Sequence, residues 1–102
     1  MMKFTIKDII DANPEVDRQF ISRMMYVMHK RLRRSDAETR MVQIPSTSKT
    51  RGDITIAAYV YDIDEAIDFM RNRYNTYRGK KYPERKRAYI EMLEKVKRII
   101  ER

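Results

Sequence analysis

The chain has no cysteine, so it forms no disulfide, and with a single histidine it lacks the donors of a structural zinc site. Only two glycines and three prolines occur in 102 residues. That scarcity excludes low-complexity tracts and glycine-rich loops and favours a compact, helix-rich chain. No apolar run is long enough to span a bilayer, and the first residues, MMKFTIKDIID, lack an apolar signal core. No membrane partner is therefore expected, and a cytoplasmic or nucleoid-associated location is. Ser-His-Asp and Cys-His arrangements, a phosphate loop and a glycine-rich dinucleotide fingerprint are all missing. The expectation is a protein that is not an enzyme, without cofactor, metal or small-molecule substrate.

What is present is positive charge. Lys and Arg number 23 against 15 Asp and Glu, a formal net charge of +8. An excess of this size favours an anionic partner without choosing between DNA, RNA and lipid headgroups. The length suits one domain with a single core.

Residues 13–34, NPEVDRQFISRMMYVMHKRLRR, organise the rest. Wound as a helix, Val16, Phe20, Ile21, Met24, Met25, Val27, Met28 and Leu32 share a broad apolar face. The opposite face carries Arg18, Gln19, Ser22, Arg23, Tyr26, His29, Lys30 and Arg33, and no acidic residue follows Asp17. Long cationic and amide side chains on one helical face suit phosphates and base edges; the bland alternative is a solvated face. Asp17 is placed to cap this helix. Pro14 biases Asn13 away from helical angles, so a short helix over residues 5–12, capped by Thr5 and burying Ile6, Ile9 and Ile10, should stop there. Helix, tight turn and basic second helix form a helix-turn-helix, which offers its second helix to the major groove.

Beyond it, residues 40–44 read as a short strand with Val42 and Ile44 on one side, and residues 46–53, STSKTRGD, as a polar loop. Residues 54–61 are the clearest strand, with Ile54, Ile56, Ala58 and Val60 on one face and Tyr59 and Tyr61 on the other. The two strands predict an antiparallel hairpin. Asp62 and Glu65 have the form of a capping box opening a helix over residues 63–77 that buries Ile63, Ala66, Ile67, Met70, Tyr74 and Tyr77. A last helix, roughly residues 84–100, carries the stripe Tyr89, Met92, Leu93, Val96, Ile99 and Ile100, with Glu91–Lys95 and Glu94–Arg98 pairs at i,i+4. This stripe should pack on one partner. A second copy of the chain, giving a homodimer, is the expectation, and the competing one is the domain's own core.

The segments FTIKDIIDA, NPEV, DRQFISRMMYVMHKRL, RMVQI, STSKTRGD and ITIAAYVY, covering residues 4–61, resemble a winged helix-turn-helix DNA-binding domain. The resemblance implies an α+β, mostly helical single domain: a helix-turn-helix plus wing over residues 4–61, and two C-terminal helices over residues 62–102 for core completion or dimerisation. It also implies that Arg18, Gln19, Ser22, Arg23 and Tyr26 lie on the exposed first turns of the recognition helix, while Lys49 and Arg51 lie at the wing tip. The family's additional first helix has no counterpart before Phe4, so it would come from residues 63–77 or from the last helix.

The function so implied is double-stranded DNA binding by a transcriptional regulator or an accessory protein of a virus, phage or mobile element. Alternatives are a protein-interaction or inhibitor module on the same scaffold, an RNA or single-strand binder, and a structural assembly unit. His29, lying among cations, is expected at phosphate or solvent. The carboxylates Asp62, Asp64, Glu65 and Asp68 are expected at a helix start rather than at a metal. Tyr74, Tyr77 and Tyr89 are expected in the core, and Tyr59, Tyr61 and Tyr82 outside it.

Overall fold

The computed structural model describes residues 2–32, 38–46, 52–74 and 83–101. Strand β1 (Lys3–Phe4) leads into helix α1 (Ile6–Ala12) and helix α2 (Arg18–Leu32). Strands β2 (Thr39–Pro45), β3 (Asp53–Tyr59) and β4 (Tyr61–Asp62) follow, then helix α3 (Ile63–Asp68), a π turn (Phe69–Arg73) and helix α4 (Pro83–Ile100). The result is an α+β domain with a two-stranded hairpin and a second small sheet.

Local chemistry sets most of these boundaries. The Thr5 hydroxyl accepts from the Lys7 N–H at 3.2 Å, and Asp8 accepts from the Thr5 N–H at 2.8 Å, so two orphan donors at the start of α1 are satisfied reciprocally. Asn13 leaves helical angles at φ −132°, ψ 60°, and its carbonyl accepts from the Val16 N–H at 3.1 Å to close the expected turn. The Asp17 carboxylate then accepts from the Gln19 N–H at 2.7 Å and caps α2. Further on, Asp62 accepts from the Glu65 N–H at 3.0 Å and caps α3.

The hairpin pairs β2 with β3 antiparallel, in register from Thr39↔Tyr59 to Pro45↔Asp53. Its far end closes where the Ser46 N–H meets the Gly52 carbonyl at 3.0 Å. Gly52 sits at φ +52°, a left-handed angle that residues with a Cβ adopt only under strain. Residues 54–61 are not one strand. The Val60 N–H turns to the Glu38 carbonyl at 2.9 Å, the alternation slips by one residue, and Tyr61 becomes buried. Beyond the break, β4 pairs with β1 through Lys3↔Asp62 and Phe4↔Tyr61. This small sheet fastens the base of the hairpin to the residues that start α1.

The core gathers Phe4, Ile9, Ile21, Met24, Met28, Ile44, Ile63 and Met70 with the buried side of α4. Two expectations are corrected here. First, the helix after Asp62 is not α-helical throughout. The Tyr74 N–H donates to the Phe69 carbonyl at 2.9 Å, five residues back, and the wider turn brings Phe69, which the α-helical stripe omits, inside along with Met70 and Tyr74. Second, the stripe assigned to dimerisation is internal. Tyr89, Met92, Leu93 and Val96 are buried within the chain, where α4 packs against α1, α3 and the π turn. Only Ile99, 49% exposed, and the half-buried Ile100 reach the surface. These four side chains are therefore covered by the chain's own elements and are not a surface open to a second copy.

The cations and anions of α4 also reach across elements, and Lys97 pairs with Glu101 at 3.9 Å along the chain as well. Lys95 pairs with Glu15 at 3.0 Å, Glu94 with Arg71 at 3.4 Å and Lys97 with Asp64 at 2.8 Å. Exposed pairs of this kind contribute little stability. Tyr77 and Tyr82 lie outside the described residues. Among the described residues no helix is long and apolar enough to cross a membrane.

Candidate nucleic-acid interface

Helix α2 buries a narrower stripe than its sequence suggests: Ile21, Met24 and Met28 are inside, while Val16, Phe20, Met25, Val27 and Leu32 are only partly covered. The polar side of the helix divides accordingly. Gln19, Arg23, Tyr26 and Lys30, spaced four, three and four residues apart, are all exposed and run in one line along the outer surface. Tyr26 is 59% exposed, and the Lys30 ammonium lies 4.9 Å from its ring centroid, a cation–π contact that holds both side chains against the helix. No carboxylate interrupts the line.

Arg18, Ser22 and His29 do not share this line, contrary to the single face expected. His29 turns toward the hairpin, and Ser22 borders the clefts on both sides of α2. The Arg18 guanidinium donates through Nη1 to the Ser22 hydroxyl, and its Nε is buried without a hydrogen-bond partner. Burial lowers the Arg18 pKa from its ordinary value. The His29 ring packs on Tyr59 of β3, with centroids 4.6 Å apart, so it joins α2 to the hairpin instead of lying in a row of outward cations. Arg33, Lys49 and Arg51 lie outside the described residues.

Two clefts flank the line. On the hairpin side, Met25, Tyr26 and His29 face Ile56, Tyr59 and Tyr61 around about 250 Å³. On the other side, Arg23, Tyr26 and Val27 face Tyr74, Arg85 and Tyr89 around about 260 Å³. The floor of this second cleft is Tyr89, 1% exposed, whose ring packs on Phe20 and Tyr74 with centroids 5.0 and 6.0 Å away. Burial pushes the Tyr89 phenol above its ordinary pKa, Tyr74 adds to the shift, and the guanidinium groups of Arg85 and Arg23 oppose it.

Arg85 was not among the residues expected at a site, although its position carries a signal. It stands with Lys86 in the first turn of α4, where the positive end of the helix dipole disfavours cations. The acidic residues around α3 have structural partners: Asp62 caps the helix, Asp64 pairs with Lys97, and Asp68 accepts from Asn72 at 2.8 Å. Tyr74 and Tyr89 are in the core as expected; Tyr61 joins them, and Tyr59 is half-buried.

No family model, curated protein or solved structure matches the chain.

Proposed function

We propose that the protein binds duplex DNA through the outer line of α2, in a winged helix-turn-helix arrangement with the β2–β3 hairpin as the wing. Gln19 and Arg23 read base edges, since amide and guanidinium groups match the hydrogen-bonding edges of adenine and guanine. Lys30, together with Lys49 and Arg51 of the segment between β2 and β3, holds phosphates. The observation that carries this reading is the unbroken exposed line Gln19, Arg23, Tyr26 and Lys30 on one capped helix. The attachment of the hairpin base to the start of α1 through β1 and β4 supports a wing held at a constant angle to α2.

Fluorescence anisotropy with random duplex DNA, a matched RNA duplex and a single strand, over a range of salt, tests it. Neutralising four to six phosphates gives a log–log salt slope of about −4 to −5 for duplex DNA. Replacing Arg23 and Lys30 together by Ala reduces both affinity and slope. A flat salt response, or duplex binding unchanged in the double variant, would refute the reading.

A further inference from the structure

The two outer edges of the β2–β3 hairpin are not equivalent. Continued by one residue at either end, the register sets Ser46 opposite Gly52 and Glu38 opposite Val60, and each of these pairs shares a backbone hydrogen bond, at 3.0 and 2.9 Å. Bonded pairs recur at every second residue of an antiparallel ladder. Ile54, Ile56 and Ala58 therefore turn their N–H and C=O groups to β2, while Thr55 and Ala57, both exposed, turn theirs to the opposite edge. The same alternation puts Met41, Gln43 and Pro45 on the outer edge of β2, where Pro45 has no N–H to offer. The outer edge of β3 contains no proline, and among the described residues no strand pairs with it.

Helix α2 runs beside that edge and leaves the cleft of about 250 Å³ on its hairpin side. Residues 56–59, consecutive in β3, all line it. Alternate residues of a strand point to opposite faces, so a cleft that touches all four lies along the edge and not against one face. Its other wall is Ser22, Met25 and His29 of α2 with Ile6 of α1, and no carboxylate lines it. Ser22, the first of these along α2, accepts from the Arg18 guanidinium, whose Nε is buried without a partner. A cleft this narrow takes one extended segment, not a strand with a further sheet behind it. Each copy of the chain carries a formal net charge of +8, which opposes a second copy at the edge and favours an acidic occupant.

We propose that the outer edge of β3 and the facing side of α2 form a docking groove for an extended acidic peptide of a partner protein, which adds to the hairpin as a third strand. Thr55 and Ala57 exchange backbone hydrogen bonds with it, alternate apolar side chains of the peptide enter the cleft toward Met25, and a carboxylate at the Ser22 end accepts from Arg18. The inference does not draw on the DNA-binding reading and stands or falls apart from it.

The test uses the full chain and a blocked peptide of alternating valine and threonine with glutamates at both ends, followed by NMR. On binding, the amide protons of Thr55 and Ala57 move downfield and exchange more slowly with solvent, while those of Ile54 and Ile56, already bonded to β2, change little. Methylating the peptide nitrogens at every second residue abolishes binding in one phase and spares it in the other, because an added strand turns only alternate N–H groups to its neighbour. Lysines in place of the glutamates weaken binding severalfold. Ala57→Pro, which removes only an outward N–H, keeps the hairpin and lowers affinity roughly two- to tenfold, the worth of one backbone hydrogen bond. The peptide arms need no change to the protein, so they hold even if that variant unfolds. No binding at millimolar peptide, equal binding of the two methylated peptides, or Thr55 and Ala57 amides unmoved by a bound peptide refutes strand addition. Equal affinity for the lysine-flanked peptide refutes the acidic partner. Protection of the two amides that rises with protein concentration alone assigns the edge to a second copy, and an oligothymidylate that moves them where the peptide does not assigns it to a nucleic-acid strand; either result overturns the proposal.

Discussion

The side-chain amide of Asn13 donates to the backbone carbonyl of Met92 at 3.3 Å, joining the end of α1 to the middle of α4 across 79 residues of sequence. The same amide donates to the Ile9 carbonyl at 2.9 Å, so one buried side chain both terminates α1 and receives α4. Replacing Asn13 by Ala removes both bonds and leaves the Ile9 carbonyl short of a donor, while the Met92 carbonyl keeps its place within α4 and the buried, unpartnered Asn13 Oδ1 is removed. Chemical denaturation should show a loss of about 1–3 kcal/mol. Asn13→Asp should be worse at neutral pH, since it sets a carboxylate against those carbonyls.

Burial of the α4 stripe inside the chain separates residues that the helical period treats alike. Leu93→Ala should cost about 2–5 kcal/mol, as a fully buried leucine leaves a cavity. Ile99→Ala, at a position 49% exposed, should stay within about 0.5 kcal/mol. Leu93→Glu should abolish cooperative thermal unfolding. A folded monomer from Leu93→Glu would mean that the stripe is an interface after all.

The contact between His29 and Tyr59 predicts coupling between α2 and the hairpin. A double-mutant cycle with His29→Ala and Tyr59→Ala should give an interaction energy of about 0.5–1.5 kcal/mol. If the two changes were additive, the hairpin would not be held through this pair.

Tyr89 predicts behaviour at high pH. Its phenol is pushed up in the folded chain by burial first, then by Tyr74, so the native state holds this proton more tightly than the unfolded state does. The stabilisation is fully present below the unfolded tyrosine pKa, about 10, and is lost as pH rises through the higher folded value. Stability should therefore fall above about pH 10, and less steeply in Tyr89→Phe. Tyrosinate absorbance should show one group ionising late in wild type and missing from that variant.

Helix caps and strand pairing were the part of the described chain most legible in the sequence. Thr5, Asp17 and Asp62 sit where carboxylate or hydroxyl caps satisfy helix N–H groups, and the hairpin follows from alternation around a polar loop. These features depend on neighbours a few residues away, which a linear reading contains. The polar side of α2 was legible as a set, but its division was not. That His29 faces sideways depends on where the hairpin lies, and β1 pairing with β4 fastens the base of that hairpin.

The apolar and basic sides of α2, the end of the first helix at Asn13-Pro14 and the apolar stripe of the last helix all follow from the order of residues. Tertiary structure alone decided what covers that stripe, why Phe69 is drawn inward by a π turn, and that Tyr61 is buried while Tyr26 is not. It also brought Arg23 and Arg85 to one cleft. Periodicity specifies which side of an element is apolar, whereas the identity of its partner depends on packing among elements distant in sequence.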